Sequence, residues 1–77
     1  MKERRITVTA YSGFRGEEKP RSFVLEGERI EVAGIEREWI EEDADTGEMM
    51  RRFRVRGNDG FIHLLSRDEK TGSWYHS

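Results

Sequence analysis

Four arginines lie close together in the segment RRFRVRG, residues 51–57: Arg51, Arg52, Arg54 and Arg56. Cations that alternate along a strand could follow the phosphates of a nucleic acid, because affinity there depends on uncompensated positive charge. They could instead neutralise carboxylates on a neighbouring strand, where each opposite-charge pair contributes about 0.2–1 kcal/mol. The choice between these two interpretations bears directly on function.

The acidic segment IEREWIEE, residues 35–42, favours neutralisation for two of the arginines. A three-residue hairpin loop over residues 45–47 would join the acidic segment to the basic one, with Gly47 in the left-handed position. That loop predicts the opposed pairs Glu38 with Arg54, Glu36 with Arg56, Trp39 with Phe53, and Arg37 with Val55. Two arginines would then be paired with carboxylates, on the opposite face from Phe53 and Val55.

No acidic partner is predicted for the other two arginines, because the acidic segment frays at the end of the strand. With nearby aromatic and basic side chains they form the candidate binding surface: Phe14, Arg15, Arg51, Arg52 and Tyr75. Lys2, Arg4 and Arg5 would join them if the first strand closes the sheet, and exposed aromatics could stack on bases. The net charge of −2 and the pI of about 5.7 argue against a general nucleic-acid binder.

Other residue patterns give little support for catalysis or metal binding. His63 and His76 could share a face of adjacent strands, but two histidines without a metal-binding spacing do not make a metal site. DADTGE, residues 43–48, lacks the ligand order of a calcium loop. The glycine-containing segment 12–20 has no P-loop signature, and no serine or threonine stands in a nucleophile-elbow motif. We therefore expect no cofactor, no metal and no enzymatic activity.

The composition is that of one small folded domain, residues 1–77, with a thin core. The chain is 34% hydrophobic and 39% charged, but its low net charge and eight aromatic residues argue against disorder. There is no cysteine, which excludes disulfides and thiolate metal sites. The opening residues lack a signal-peptide pattern and no stretch approaches the length of a membrane span, so the expected location is the cytoplasm.

Short segments with period-two patterning alternate with turn signals along the whole chain. Residues 6–10 predict a strand and residues 12–20 a loop. A two-residue turn at Glu26-Gly27 would place Phe23 opposite Ile30. A turn over residues 69–72 would place Trp74 opposite Arg67, where it either stacks on the arginine or packs in the core.

The predicted fold is all-β: five or six short antiparallel strands in a meander that curls into a small SH3-like open barrel. The uncertain segment is residues 35–43. Its glutamates favour helix, but it is short, follows Gly34 and lacks an N-cap, so strand with a bulge at Gly34 is preferred. The alternative is an α+β fold in which residues 35–43 are helical.

The chain resembles a set of short bacterial cytoplasmic proteins of unknown function. The segments that carry the resemblance are RSFVLEGERIEV, IEREWIEE, FRVRGNDGFIHLL and DEKTGSWY, spread over residues 5–76. The resemblance implies an all-β domain in the cytoplasm. It implies no catalytic or binding residue, since that family has no established activity.

These observations predict a non-catalytic protein-interaction module, present as a monomer or weak homodimer, with an edge strand available for a partner. The alternative is a nucleic-acid-binding accessory module that uses the basic residues of strand 50–56 and the N-terminus.

Overall fold

A computed structural model describes residues 3–12 and 18–77, and it is all-β, as predicted. Six strands follow one another: β1 Arg4–Ser12, β2 Glu18–Leu25, β3 Glu28–Glu42, β4 Met49–Gly57, β5 Ile62–Asp68 and β6 Trp74–His76. The helical alternative for residues 35–43 is wrong, because residues 35–42 belong to β3 and pair with β4. Lys2, Phe14 and Arg15 lie outside the described residues.

Each strand pairs with the next, and β1 pairs with β6, so that the meander closes into a barrel. The loop between β1 and β2 is shorter than the predicted loop over residues 12–20, because Ser12 and residues 18–20 belong to the strands. Ser12 pairs with Glu18, Tyr11 with Lys19 and Ala10 with Pro20. These three pairs extend the hairpin because strand pairing satisfies backbone groups that a loop would leave to water.

Each of the strands β2 to β6 contributes one or two apolar side chains to the core. These residues are Phe23, Ile30, Phe53, Val55, Leu65 and Trp74. Trp74 lies opposite Arg67, as predicted, but it is only 7% exposed and its ring centre lies 5.5 Å from that of Phe53. Of its two predicted environments, the core is therefore the one observed. Its neighbour Tyr75 is half-buried on the outer face.

The Glu26-Gly27 turn is as predicted, with Phe23 opposite Ile30. Both turn residues have positive φ, 51° and 80°, the combination that a two-residue hairpin turn of type I′ requires.

The loop between β3 and β4 is one residue longer than predicted. Gly47 N–H donates to the Asp43 carbonyl at 2.8 Å, and Asp43 N–H donates to the Glu48 carbonyl at 2.8 Å. The register therefore shifts by one residue: Trp39 lies opposite Arg52, and Glu38 lies opposite Phe53. None of the four predicted register pairs across this hairpin is observed, but the side chains of Glu36 and Arg56 do form the predicted ion pair, at 3.4 Å.

Two β-bulges in β3 shift the register further along the same ladder. Arg37 lies opposite Arg54, Ile35 opposite Val55, and Gly34 opposite Arg56. The extra residues are Ala33 and Glu36, so the bulge predicted at Gly34 falls at the preceding residue.

Candidate functional site

Arg51 lies at one mouth of the barrel and contacts two carboxylates. Its guanidinium donates to Glu38 Oε2 at 3.0 Å and to Glu69 Oε1 at 3.4 Å. These contacts belong to a chain of side chains with alternating charge, Lys19, Glu38, Arg51, Glu69, Arg67 and Glu18. Burial opposes ionisation of Glu38, but hydrogen bonds from Lys19 and Arg51 more than compensate and lower its pKa. Burial likewise opposes the charge of Arg51, yet its bonds to the two glutamates raise its pKa.

Arg52 points to the outer face, and it is also neutralised. It donates to Glu3 Oε2 at 2.9 Å, to Glu41 Oε2 at 3.0 Å and to the hydroxyl of buried Ser66 at 2.9 Å. Arg52 and Tyr75 line the same shallow cavity of about 210 Å³. The structure therefore brings Arg52 and Tyr75 together but directs Arg51 to the opposite face.

The prediction that Arg51 and Arg52 lack acidic partners is wrong for a geometric reason. The shifted register puts Glu38 on the face that holds Arg51, where the prediction had assigned it to Arg54. Closure of the barrel brings Glu3, which is distant in sequence, to Arg52.

Three exposed arginines lie near one another on the outer face of β3 and β4. Arg54 and Arg56 have side chains 56% and 53% exposed, and they share Glu36 at 3.5 and 3.4 Å. Exposed Arg37 lies directly opposite Arg54, an arrangement of like charges that disfavours strand pairing. We call Arg37, Arg54 and Arg56 the arginine row.

The barrel wall is interrupted between β2 and β3. Their ladder ends at the pair of Ser22 and Glu31, whereas β2 begins at Glu18 and β3 continues to Glu42. Within the described ranges, no strand pairing continues on this side of β3 beyond Glu31. The ion pair of Lys19 with Glu38 spans the gap. We call the gap between the last ladder pair and this ion pair the opening.

Apolar and charged side chains line the opening together. A cavity of about 240 Å³ is lined there by Tyr11, Pro20, Arg21, Glu31, Val32, Gly34 and Ile35. Tyr11 is 53% exposed and Ile35 is 38% exposed, so both side chains are accessible at the opening. The guanidinium carbon of Arg21 lies 5.6 Å from the centre of the Tyr11 ring.

Strand irregularities concentrate around this opening. One residue of β2, Arg21, and two residues of β3, Ala33 and Glu36, are extra residues in their ladders. Bulges occur preferentially at sheet edges and beside binding sites, where they redirect side chains. Pro20 marks the β2 side as an edge, because proline has no N–H to offer a further strand.

Sequence reasoning missed Tyr11, Pro20 and Ile35 as site residues. The available signal was Pro20, since a proline inside a strand indicates an edge. The opening itself depends on where the β2 ladder stops, which no local pattern encodes.

The two histidines meet, as their predicted shared face suggested. His63 Nδ1 lies 3.0 Å from His76 Nε2, and His63 Nε2 lies 3.0 Å from Asp59 Oδ2. His63 is buried against Phe23, with ring centres 5.0 Å apart. Among residues 3–12 and 18–77, no group of three or more His, Cys, Asp or Glu side chains is arranged so that it could hold a metal ion.

Comparisons with protein-family models, with curated proteins and with solved structures find no match. In the part of the chain that the structure describes, no helix is long and apolar enough to cross a membrane.

Proposed function

We propose that this chain is a non-catalytic protein-interaction module of the cytoplasm, and that an extended segment of its partner pairs with β3 in the opening. One observation carries the proposal. Among the residues that the structure describes, β3 from Val32 onward has a strand neighbour on one side only, and both apolar and charged side chains line the gap on its other side. An added strand gains affinity from main-chain hydrogen bonds and specificity from pockets for alternate side chains.

Backbone direction supports pairing that begins at Val32. Glu31 N–H donates to Asn58 Oδ1 at 3.1 Å, and the Glu31 carbonyl accepts from Asn58 N–H at 2.8 Å. Successive strand residues direct their backbone groups to opposite edges, so those of Val32 point towards the opening. Residues 32–37 of an extended strand span about 20 Å, enough for a partner segment of about six residues.

The same geometry weakens the nucleic-acid alternative that used strand 50–56 and the N-terminus. Arg51 and Arg52 are each held by two carboxylates. An arginine guanidinium group already lies over one face of each of two partly exposed aromatic rings, Tyr11 and Trp39. Single-strand binding needs free cations together with free aromatic faces.

The test is selection from a random dodecapeptide library, followed by amide chemical-shift mapping of the ¹⁵N-labelled domain. We expect the largest shifts at Val32, Gly34 and Ile35. Each selected peptide is N-methylated either at its odd-numbered or at its even-numbered residues. One of the two methylated forms should lose binding and the other should keep it, because only alternate N–H groups of the peptide face β3.

A matched pair of variants locates the binding surface. Ile35→Ser should weaken peptide binding, whereas Ile40→Ser, on the same strand beyond the ion pair of Lys19 with Glu38, should not. Ile40 is the more exposed of the two, at 48%. Equal effects of the two substitutions, or shifts that avoid β3, would contradict the proposal.

A further inference from the structure

The arginine row borders the opening, and Gly34 is the point of contact. Gly34 lines the opening and lies opposite Arg56. A Cβ atom on Gly34 would lie only 3.3 Å from Arg56 Nη2. The guanidinium of Arg56 therefore lies across β3 towards the opening, in space that a side chain at position 34 would restrict.

Positive charge exceeds negative charge around this edge. Four exposed arginines, Arg21, Arg37, Arg54 and Arg56, accompany two glutamates, Glu31 and Glu36. The formal charge of these six side chains is therefore about +2, in a chain whose net charge is −2. Charge complementarity of this kind steers partners and fixes their orientation.

The spacing of the row matches that of an added strand. Arg54 and Arg56 project from the same face of β4, two residues or about 6.8 Å apart, and alternate residues of any extended peptide repeat at the same interval. A strand added to β3 would lie about 9.6 Å from β4, a distance that arginine and a long acidic side chain span together. Arginine is also suited to bidentate contact with carboxylates.

We propose that the partner segment is acidic, with glutamate or aspartate at alternate positions facing the arginine row and apolar residues facing Tyr11 and Ile35. This inference rests on the proposed function, since it names the occupant of the same opening. An incoming carboxylate would also relieve the unfavourable opposition of Arg37 and Arg54. Nucleic acid is less favoured, because an arginine already covers one face of Tyr11 and one face of Trp39 and so leaves less aromatic surface for base stacking.

The test compares two blocked hexapeptides, alternating Glu-Val and alternating Lys-Val, by fluorescence anisotropy with the intact domain. We expect the Glu-Val peptide to bind and its affinity to fall with added salt, and we expect no binding of the Lys-Val peptide. The double substitution of Arg54→Gln and Arg56→Gln should weaken binding about two- to thirtyfold, the combined effect of losing two exposed ion pairs. Arg29→Gln, at an exposed arginine in the part of β3 that pairs with β2, should leave the affinity unchanged.

Gly34→Ala supplies an independent check, because the added methyl group would displace Arg56 while leaving every charge in place. We expect it to weaken binding of the Glu-Val peptide, with the thermal midpoint of unfolding measured in parallel to verify the fold. The inference is overturned if library-selected peptides shift Val32 and Ile35 but show no acidic preference and no sensitivity to the arginine substitutions. It is equally overturned if an oligothymidine displaces the Glu-Val peptide and binds more tightly. If no peptide shifts Val32 or Ile35, both this inference and the proposed function fail.

Discussion

Asp43 and Asp68 hold two separate hairpins of the barrel in the same conformation. The Oδ1 atom of each aspartate accepts from the backbone N–H groups two and three residues later, at 2.8 and 3.2 Å for Asp43 and at 2.8 and 3.1 Å for Asp68. In each loop a glycine with φ of 73° or 78° donates back to the aspartate carbonyl. The motif Asp-x-x-Thr-Gly thus closes both the β3–β4 and the β5–β6 hairpin.

Removal of either aspartate should destabilise the barrel. Asp68→Ala leaves two loop N–H groups without their acceptor, and we expect a loss of about 1 kcal/mol in the free energy of unfolding, as for a lost helix N-cap. Asp43→Ala should cost a similar amount. Urea denaturation followed by tryptophan fluorescence measures both effects.

Asp45→Ala is the matched control for that experiment. Asp45 is an exposed aspartate in the first loop, and it contributes its backbone N–H to the motif. Its substitution should change stability by less than about 0.5 kcal/mol. A loss at Asp45 as large as that at Asp43 would show that removal of charge, rather than of the loop acceptor, causes the effect.

The two loops also show what the sequence could reveal. The turn over residues 69–72 was predicted with its flanking pair, Asp68 with Ser73, and the structure confirms that pairing. The chemically equivalent loop after Asp43 was assigned three residues, although the same rule places Asp43 opposite Glu48. The error in the length of the β3–β4 loop was therefore avoidable, because the two segments share the spacing of aspartate, threonine and glycine.

The candidate site was not predictable to the same degree. Period-two patterning predicted the strands and the buried side of β4, Phe53 and Val55, because burial of alternate side chains is local information. The two bulges of β3 and the early end of the β2 ladder depend on how the barrel closes. Charge pairs across that closure, such as Arg52 with Glu3, have no local signal at all.

Gly57 should tolerate no larger residue. A Cβ atom there would lie 2.8 Å from Ile30 Cγ2 and 3.2 Å from His63 Cδ2, both on other strands of the barrel. We expect Gly57→Ala to cost about 1–3 kcal/mol through overpacking. Gly60→Ala is the comparison, because no atom outside the adjoining residues lies within 4 Å of the Cβ that it adds. Only the positive φ of residue 60, 87°, opposes this substitution. Thermal unfolding should therefore show the larger loss for Gly57→Ala, and the reverse order would contradict the packing argument.

Glu38 should matter more for stability than Glu36, although each forms ion pairs with two cations. The Glu38 side chain is 24% exposed and lies between Lys19 and Arg51, whereas the Glu36 side chain is 37% exposed on the outer face. Glu38→Gln should cost about 1 kcal/mol, because two partly buried cations lose their charged partner. Glu36→Gln should cost less than about 0.5 kcal/mol. Chemical denaturation at low and high salt distinguishes them, since salt screens the exposed pairs more strongly.

Stability should fall in two steps as the solution is acidified. Burial lowers the pKa of His76, and the nearby charges of His63 and Arg4 lower it further. The unfolded chain therefore binds this proton more readily, and stability falls as the pH drops below the ordinary value of 6.5.

The second step comes from two carboxylates. Hydrogen bonds lower the pKa of Asp59, and the main one comes from the backbone of Phe61. Hydrogen bonds from Lys19 and Arg51 lower the pKa of Glu38. Their stabilisation is present above their ordinary values of 3.8 and 4.5 and is lost at lower pH.

His76→Gln separates the two steps. Glutamine keeps polar groups near His63 but does not titrate, so the decline below pH 6.5 should flatten while the decline below 4.5 remains. The measurement is the urea midpoint at closely spaced pH values, with Glu38→Gln as the reciprocal control that should reduce only the lower step. An unchanged upper step in His76→Gln would assign that titration to another group and refute the role given to His76.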